Sequence, residues 1–205
     1  LIISGNGAME SMVKNKKNPR GNYPWSKRGK ELRNVVVEEG ITTIGDFFLD
    51  NRWDKCPYVT EVKLPSTLRI IGRLAFYCMN LERIDIPDGT TTIGEAAFIG
   101  CKKLRDIVIP NSVTSIGRDA FQGCNLHSIK LSENITAIPM AMFNLGKIRS
   151  ITIPDNVESI GAYAFDYTYL EEIRLPKNLK WIGEGAFIHC NLKKIVLPES
   201  IEYIG

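Results

Sequence analysis

Short apolar phrases with an alternating second half recur along the chain. Three of them are "LERIDIP" (81–87), "LRDIVIP" (104–110) and "LEEIRLP" (170–176). The alternation has the period of a strand with one buried face, and the closing proline ends the strand because it cannot donate to a ladder. A second short apolar piece follows, then Ile-Gly and a Phe, as in "TSIGRDAF" (114–121). The pattern therefore predicts two short extended segments and a bend in each unit.

The units repeat with a nearly constant length. The Ile of the Ile-Gly pair, or its equivalent, lies at Ile44, Ile71, Ile93, Ile116, Ile138, Ile160, Ile182 and Ile204. The spacing is 22 or 23 residues, except for 27 residues between the first two. A unit of this size cannot bury its apolar side chains alone, so the units must stack, with equivalent residues in continuous internal columns. We therefore predict a curved solenoid with a parallel strand-lined concave face and an internal column of phenylalanines.

The repeat resembles a known family. The pattern C-x-x-L-x-x-I-x-I-P-x-x-V-x-x-I-G-x-x-A-F-x-G is similar to the BspA-like leucine-rich repeat of bacterial secreted and surface proteins. The resemblance covers about eight units over residues 32–205, the last incomplete, and residues 1–31 are similar to the N-terminal cap of such domains. It implies a leucine-rich-repeat solenoid with short strands and turns on the convex face. It also implies export or cell-surface display and protein binding, often in adhesion.

Two units depart from the pattern. The first places Phe48 and Leu49 where the others have Ala-Phe, and its five extra residues are assigned to the segment 50–56. The unit around 138–145 has Pro139 in place of Gly and Met142 in place of Ala. We expect that coil to bend differently from its neighbours.

The sequence contains little that could support catalysis. His127 and His189 lie about three coils apart at different repeat positions, so we expect them not to converge. No metalloprotease, phosphate-loop or nucleophile-elbow motif is present, and "GNG" (5–7) lacks the third glycine of a dinucleotide fingerprint. We predict a protein that is not an enzyme and that has no cofactor, no catalytic residue and no metal ligand.

Cysteines recur at one place in the repeat. Cys78, Cys101 and Cys124 occupy nearly the same position in consecutive coils, and Cys190 recurs there later. Three interpretations are open: a column of buried thiols, since free Cys is among the most buried residue types; a Cys101–Cys124 disulfide, since one coil spacing is within bridging range; or a metal site. Cys56 lies in the insertion, and we expect it to be exposed.

The outward positions of the concave strands supply the candidate binding surface. One predicted column is Asn34, Glu61, Arg83, Asp106, Ser128, Ser150, Glu172 and Lys194, and the next is Val36, Lys63, Asp85, Val108, Lys130, Thr152, Arg174 and Val196. The charges alternate from Glu61 to Arg83 to Asp106, and Lys63 is predicted to face Asp85. These charges either pair with one another or contact a ligand. The candidate partner-binding residues are Trp53, Glu61, Lys63, Arg83, Asp85, Asp106, Lys130 and Arg174.

Two aromatic features extend this prediction. Trp53, in the insertion, either anchors a partner or fills a gap between the cap and the second coil. Trp181 and Tyr203 are neighbours in adjacent coils at an outward position, so they form an alternative patch. Aromatic side chains are enriched at protein interfaces. Tyr203 has a second interpretation, in which it covers the end of the array.

Charge and composition add two alternatives. The 205 residues carry a net charge of +3, and residues 10–33 hold eight basic side chains against two acidic ones. This segment could bind a polyanion, although the small net charge gives no indication of nucleic-acid binding. The array could also be a structural spacer or stalk that displays other domains. The favoured prediction is a protein-binding or adhesion module, extracellular or on the cell surface, with a protein partner on a host or cell surface and with no membrane span.

Overall fold

A computed structural model describes residues 1–9, 29–49 and 56–205. In this part of the chain, almost every coil contributes two short strands, and all strand pairs are parallel. Trp53 and the basic residues from Lys14 to Arg28 lie outside the described residues.

The first strand of each coil forms the concave sheet. Its strands are β1 (Ile2–Ile3), β3 (Asn34–Val37), β5 (Glu61–Lys63), β8 (Asp106–Val108), β10 (Ser128–Lys130), β12 (Ser150–Thr152) and β14 (Glu172–Arg174). β1, β3 and β5 pair in that order, β8 pairs with β10, and β12 pairs with β14. A single parallel bridge from Glu61 to Arg83 carries the ladder into the next coil.

The second strand of each coil forms the outer sheet. Its strands are β2 (Gly7–Ala8), β4 (Ile41–Ile44), β6 (Ile70–Ile71), β7 (Thr92–Ile93), β9 (Ser115–Ile116), β11 (Ala137–Ile138), β13 (Ser159–Ile160), β15 (Trp181–Ile182) and β16 (Tyr203–Ile204). The helical content of the described chain is one 3₁₀ turn, Gly29–Glu31. The outer sheet is divided into β2–β4–β6–β7–β9 and β11–β13–β15–β16. The division falls at the coil that contains Pro139.

The core between the two sheets is one continuous set of columns. The marker isoleucines pair in register from coil to coil, as Ile71 does with Ile93 and Ile160 with Ile182. Beside them the phenylalanine rings stack, and the rings of Phe76, Phe98, Phe121, Phe143 and Phe165 are at most 1% exposed. The predicted solenoid with its internal phenylalanine column is confirmed.

Between residues 74 and 189, each coil makes its outer bend with two residues in the left-handed region. In one coil these are Asp119 (φ 58°) and Gly123 (φ 66°), and the equivalent pair in a later coil is Tyr163 (φ 56°) and Tyr167 (φ 52°). A residue other than glycine is strained in this region. Within this range the second position is glycine in only two coils, at Gly100 and Gly123. The repeat therefore imposes the bend even where the local sequence disfavours it.

The cysteine positions differ from the sequence prediction in two ways. Cys56 is 2% exposed, so the prediction that it is exposed is wrong. Its carbonyl accepts from the Val59 amide, as the Cys101 carbonyl accepts from Leu104, so it occupies the Cys101 position of its own coil. Cys78 is one residue out of phase. The backbone bonds place Met79 at the Cys101 position, and Cys78 takes the left-handed place of Gly100.

Cys101, Cys124 and Cys190 are free thiols. The thiols of Cys101 and Cys124 donate to the carbonyls of Phe76 and Phe98, each over 3.1 Å. Burial raises the pKa of the Cys101 thiol well above its ordinary value, and the Cys124 thiol beside it adds to the shift. This arrangement matches the interpretation of buried structural thiols.

Candidate functional site

The concave sheet presents two parallel columns of side chains to solvent. In β5, β8 and β12 the burial pattern is exposed, buried, exposed, so the central residue enters the core and its neighbours face out. The strand register aligns the outward residues of neighbouring coils. The aligned pairs are Asn34 with Glu61, Asp106 with Ser128, Ser150 with Glu172, Val36 with Lys63, Val108 with Lys130 and Thr152 with Arg174. Both predicted columns therefore form over these strands.

The charged centre of this face is paired differently from the prediction. The Arg83 guanidinium makes two bonds to Asp85, Nε to Oδ1 over 3.1 Å and Nη2 to Oδ2 over 2.8 Å, within a single coil. The hydrogen bonds and charge of Asp85 raise the pKa of Arg83, and Glu61 adds a smaller contribution. The bridge from Glu61 to Arg83 aligns Lys63 with Asp85, as predicted, but the ion pair of this carboxylate is made by Arg83, two residues away in the same coil, with a bidentate fork.

Exposure leaves this pair accessible to a partner. The side chains of Arg83 and Asp85 are 73% and 77% exposed. Ion pairs exposed to this degree add little to stability because water and salt screen them. The contribution of this pair is therefore to the charge pattern of the surface, where it presents two opposite charges side by side.

Apolar side chains lie beside the charges. Val108 is 59% exposed, and it lines an open groove of about 410 Å³ together with Arg83, Asp85 and Asp106. Farther along the same face, a groove of about 770 Å³ is lined by Lys130, Arg174 and neighbouring residues of three coils. Arg174 also approaches Asp155 at 3.8 Å. Five of the predicted residues are thus brought into two grooves, Glu61 and Lys63 face solvent on β5, and Trp53 lies outside the described residues.

Sequence reasoning missed two tyrosines at the edge where the concave strands begin. Tyr58 and Tyr169 occupy the same repeat position, three residues before β5 and β14, and are 53% and 49% exposed. In both cases an arginine of the preceding coil lies over the ring, Arg33 at 4.2 Å and Arg149 at 6.0 Å from the centroid. The signal was available in the sequence, because each arginine directly precedes a concave strand. The equivalence of Tyr58 and Tyr169 is hidden in the sequence because the first unit has 27 residues instead of 22 or 23.

The alternative outer patch has the predicted geometry. The register of β15 and β16 aligns Trp181 with Tyr203, and their rings stack at 3.9 Å between centroids with 22° between planes. The two residues are 49% and 45% exposed. The stack covers one face of each ring, and about half of each residue stays exposed.

The two histidines do not meet. His127 Nε2 lies 3.3 Å from Arg105 Nη1, and His189 Nδ1 lies 3.0 Å from Asp166 Oδ1. Within residues 1–9, 29–49 and 56–205, no cluster of three or more His, Cys, Asp or Glu side chains is placed to hold a metal ion. In the same residues, no helix has the length and apolar character needed to cross a bilayer.

The fold and the surface columns define a leucine-rich-repeat solenoid. A family model described as "BspA type Leucine rich repeat region (6 copies)" matches residues 26–146 and 137–205. Since these matches cover most of the sequence, the chain belongs to the BspA-type leucine-rich-repeat proteins. No curated protein matches it significantly.

Solved structures of bacterial leucine-rich-repeat proteins are similar to this chain. The Bacteroides ovatus ATCC 8483 protein is 27% identical with a TM-score of 0.78, over 98% of this chain and 52% of that one. The Eubacterium ventriosum ATCC 27560 protein is 25% identical with a TM-score of 0.56, over 91% and 58%. The T. pallidum protein, at 24% identity, a TM-score of 0.54 and coverage of 90% and 70%, shows the fold alone. The chain spans about half the length of the first of these proteins.

Proposed function

We propose that this chain is a non-enzymatic protein-binding module of a secreted or cell-surface protein, with its contact face on the concave sheet. The observation that carries the proposal is the pair of solvent-facing columns held in register across successive coils. A rigid sheet of this kind spreads contacts over many repeats at little conformational cost. Localisation outside the cell rests on what membership of this family implies.

The composition of the face suggests how each part contributes. The opposed charges of Arg83 and Asp85 set the orientation and the association rate of a partner more than its affinity. Val108 is exposed and lies between the Arg83–Asp85 pair and Lys130. Its apolar area would become buried when a partner binds. Trp53, which precedes β5 in sequence, is the proposed aromatic anchor.

A quantitative pull-down from host extracellular matrix and cell-surface extracts tests the contact face. The variant is Arg83→Glu with Asp85→Lys, which reverses the field and keeps an ion pair. The matched control is Glu158→Lys with Lys180→Glu, which reverses an exposed pair with a 2.8 Å contact outside the concave columns. Trp53→Ala is measured separately.

A partner captured by the parent and by the control, and lost from the concave variant, supports the proposal. If a partner is retained equally by all folded variants, the concave face is not the contact surface. Loss of that partner on replacing Trp181 and Tyr203 with Ser would then assign binding to the outer patch, where two stacked and half-exposed rings are already in place.

A further inference from the structure

A row of basic side chains lies along the edge where the concave strands begin. Arg105, His127 and Arg149 each directly precede a strand, β8, β10 and β12, and so occupy one repeat position in three consecutive coils. The His127 amide donates to the Arg105 carbonyl over 2.7 Å, which fixes the two residues side by side. Lys147 lies two residues before Arg149. A linear ligand along the solenoid axis would meet one basic group in each of these three coils.

Part of this row forms a pocket. His127, Lys147, Arg149 and Tyr169 line an open depression of about 240 Å³. All four residues are exposed, and the Arg149 guanidinium lies 6.0 Å from the centre of the Tyr169 ring. The pocket therefore combines cationic donors with one aromatic wall, and it uses none of the outward concave positions.

The positive charge of the pocket is only partly balanced. Arg149 donates to Glu171 over 2.6 Å. Lys147, which lines the pocket, and Arg105, which lies beside it against His127, have no carboxylate at ion-pair distance within the described residues. The Arg105 guanidinium instead faces the His127 ring. Two cations with unused hydrogen-bond donors at one depression form a site that can bind an anionic group.

We propose that this pocket binds the acidic substituent of an anionic glycan, such as a sulfate ester or a uronate carboxylate, with the sugar ring against Tyr169. The aromatic wall favours a ligand that has an apolar ring face next to its charge, which an acidic peptide side chain lacks. Single-stranded nucleic acid binds through successive aromatic rings, and this pocket has one. The pocket is distinct from the concave contact face, because His127 is its one residue that also lines a concave groove.

Titration calorimetry with a heparin-derived hexasaccharide tests the pocket, with a hyaluronan hexasaccharide as the carboxylate-only probe. The site variant is Arg105→Gln with Lys147→Gln, which removes two cations that have no carboxylate partner. The matched control is Lys102→Gln with Lys177→Gln, an equal charge change at two exposed lysines outside the pocket and the concave columns. A third variant replaces Lys14, Lys16 and Lys17 with Gln, because that basic segment is the competing polyanion site. Thermal melts verify that each variant is folded.

We expect the site variant to raise the Kd by about tenfold at low salt and to reduce the salt dependence of binding, as the loss of two ionic contacts predicts. The control variant should change the Kd by less than about twofold, and Tyr169→Ala should weaken binding of the glycan. The absence of binding by the parent, an equal loss in the control, or a loss confined to the Lys14 variant overturns the proposal. Equally tight binding of polyglutamate or single-stranded DNA of matched charge, with no effect of Tyr169→Ala, overturns the assignment to a glycan.

Discussion

The rings of Phe121 and Phe143 lie 6.2 Å apart between centroids, whereas the other stacked pairs of the phenylalanine column lie 5.2–5.5 Å apart. The outer sheet is divided at the same coil junction. In neighbouring coils, the amide of Gly117 donates to Ile93 and that of Gly161 to Ile138, over 2.8 and 2.7 Å. Pro139 has no N–H to donate at this place, and the Phe121–Phe143 spacing is widest here.

Replacing Pro139 with Gly should restore the missing donor. We expect the new amide at position 139 to be protected from hydrogen exchange to the same degree as the amides of Gly117 and Gly161, which serve as references in the same experiment. The free energy of unfolding should change by less than about 1 kcal/mol, because a net hydrogen bond of about that size is offset by the flexibility of glycine in the unfolded chain. If the new amide exchanges at the rate of a free peptide, another feature separates the two parts of the sheet.

Replacing Phe121 with Ala should destabilise the whole array. The ring is buried and stacked between Phe98 and Phe143, so its removal should cost about 3–5 kcal/mol. Phe187→Ala is the matched control, since that ring is only partly buried and stacks on Phe165. We expect it to cost less than half as much. Chemical denaturation measures both, and equal losses would mean that the column does not act as a shared core.

The buried hydroxyl of Thr90 offers a stabilising substitution. Thr90 is fully buried at a position that is Leu68 or Val113 in adjacent coils, and its Oγ1 has no hydrogen-bond partner among the described residues. Thr90→Val should therefore raise the free energy of unfolding by about 1–2 kcal/mol, because it removes an unsatisfied polar atom and keeps the shape.

The control for Thr90 is a buried threonine with a satisfied hydroxyl. Thr168 is also buried, and its Oγ1 donates to the Phe165 carbonyl over 2.7 Å. Thr168→Val should lower the free energy of unfolding by about 1 kcal/mol. If both substitutions shift the melting temperature in the same direction, hydroxyl satisfaction does not decide the outcome.

The thiols of Cys56, Cys101 and Cys124 should react slowly in the folded chain. All three are at most 2% exposed. Labelling without denaturant should modify the partly exposed Cys78 and Cys190 first, and intact mass should show no loss of two protons. Rapid modification of Cys101 or Cys124 would contradict their burial, and a two-proton loss would support a disulfide.

These thiols also predict alkaline destabilisation. Folding raises the pKa of Cys101 and of Cys190, chiefly through burial. A raised folded pKa favours the protonated folded state, so this contribution to stability is complete below the unfolded pKa of about 8.5. It is lost progressively as the pH rises from there toward the folded pKa. Cys101→Ala should flatten the decline in stability above that pH, and an unchanged decline would assign it to other groups.

Much of the architecture follows from the sequence. The spacing of the isoleucine markers and of the phenylalanines is sufficient to predict stacked coils, the core columns and the outward faces of the strands, because a side chain's repeat position determines whether it meets a neighbouring coil or water. Trp181 and Tyr203 illustrate this, since their equal repeat positions alone predict their stacking.

Only the tertiary structure decided three other points. Arg83 pairs with Asp85 within its own coil rather than leaving that carboxylate to Lys63, since a long side chain can reach several partners. Cys56 is buried because the backbone bonds, not the residue count, fix where an irregular unit rejoins the repeat. The pocket formed by His127, Lys147, Arg149 and Tyr169 draws on three coils at two repeat positions, and the repeat pattern of a single coil does not reveal how far such side chains extend across the solenoid edge.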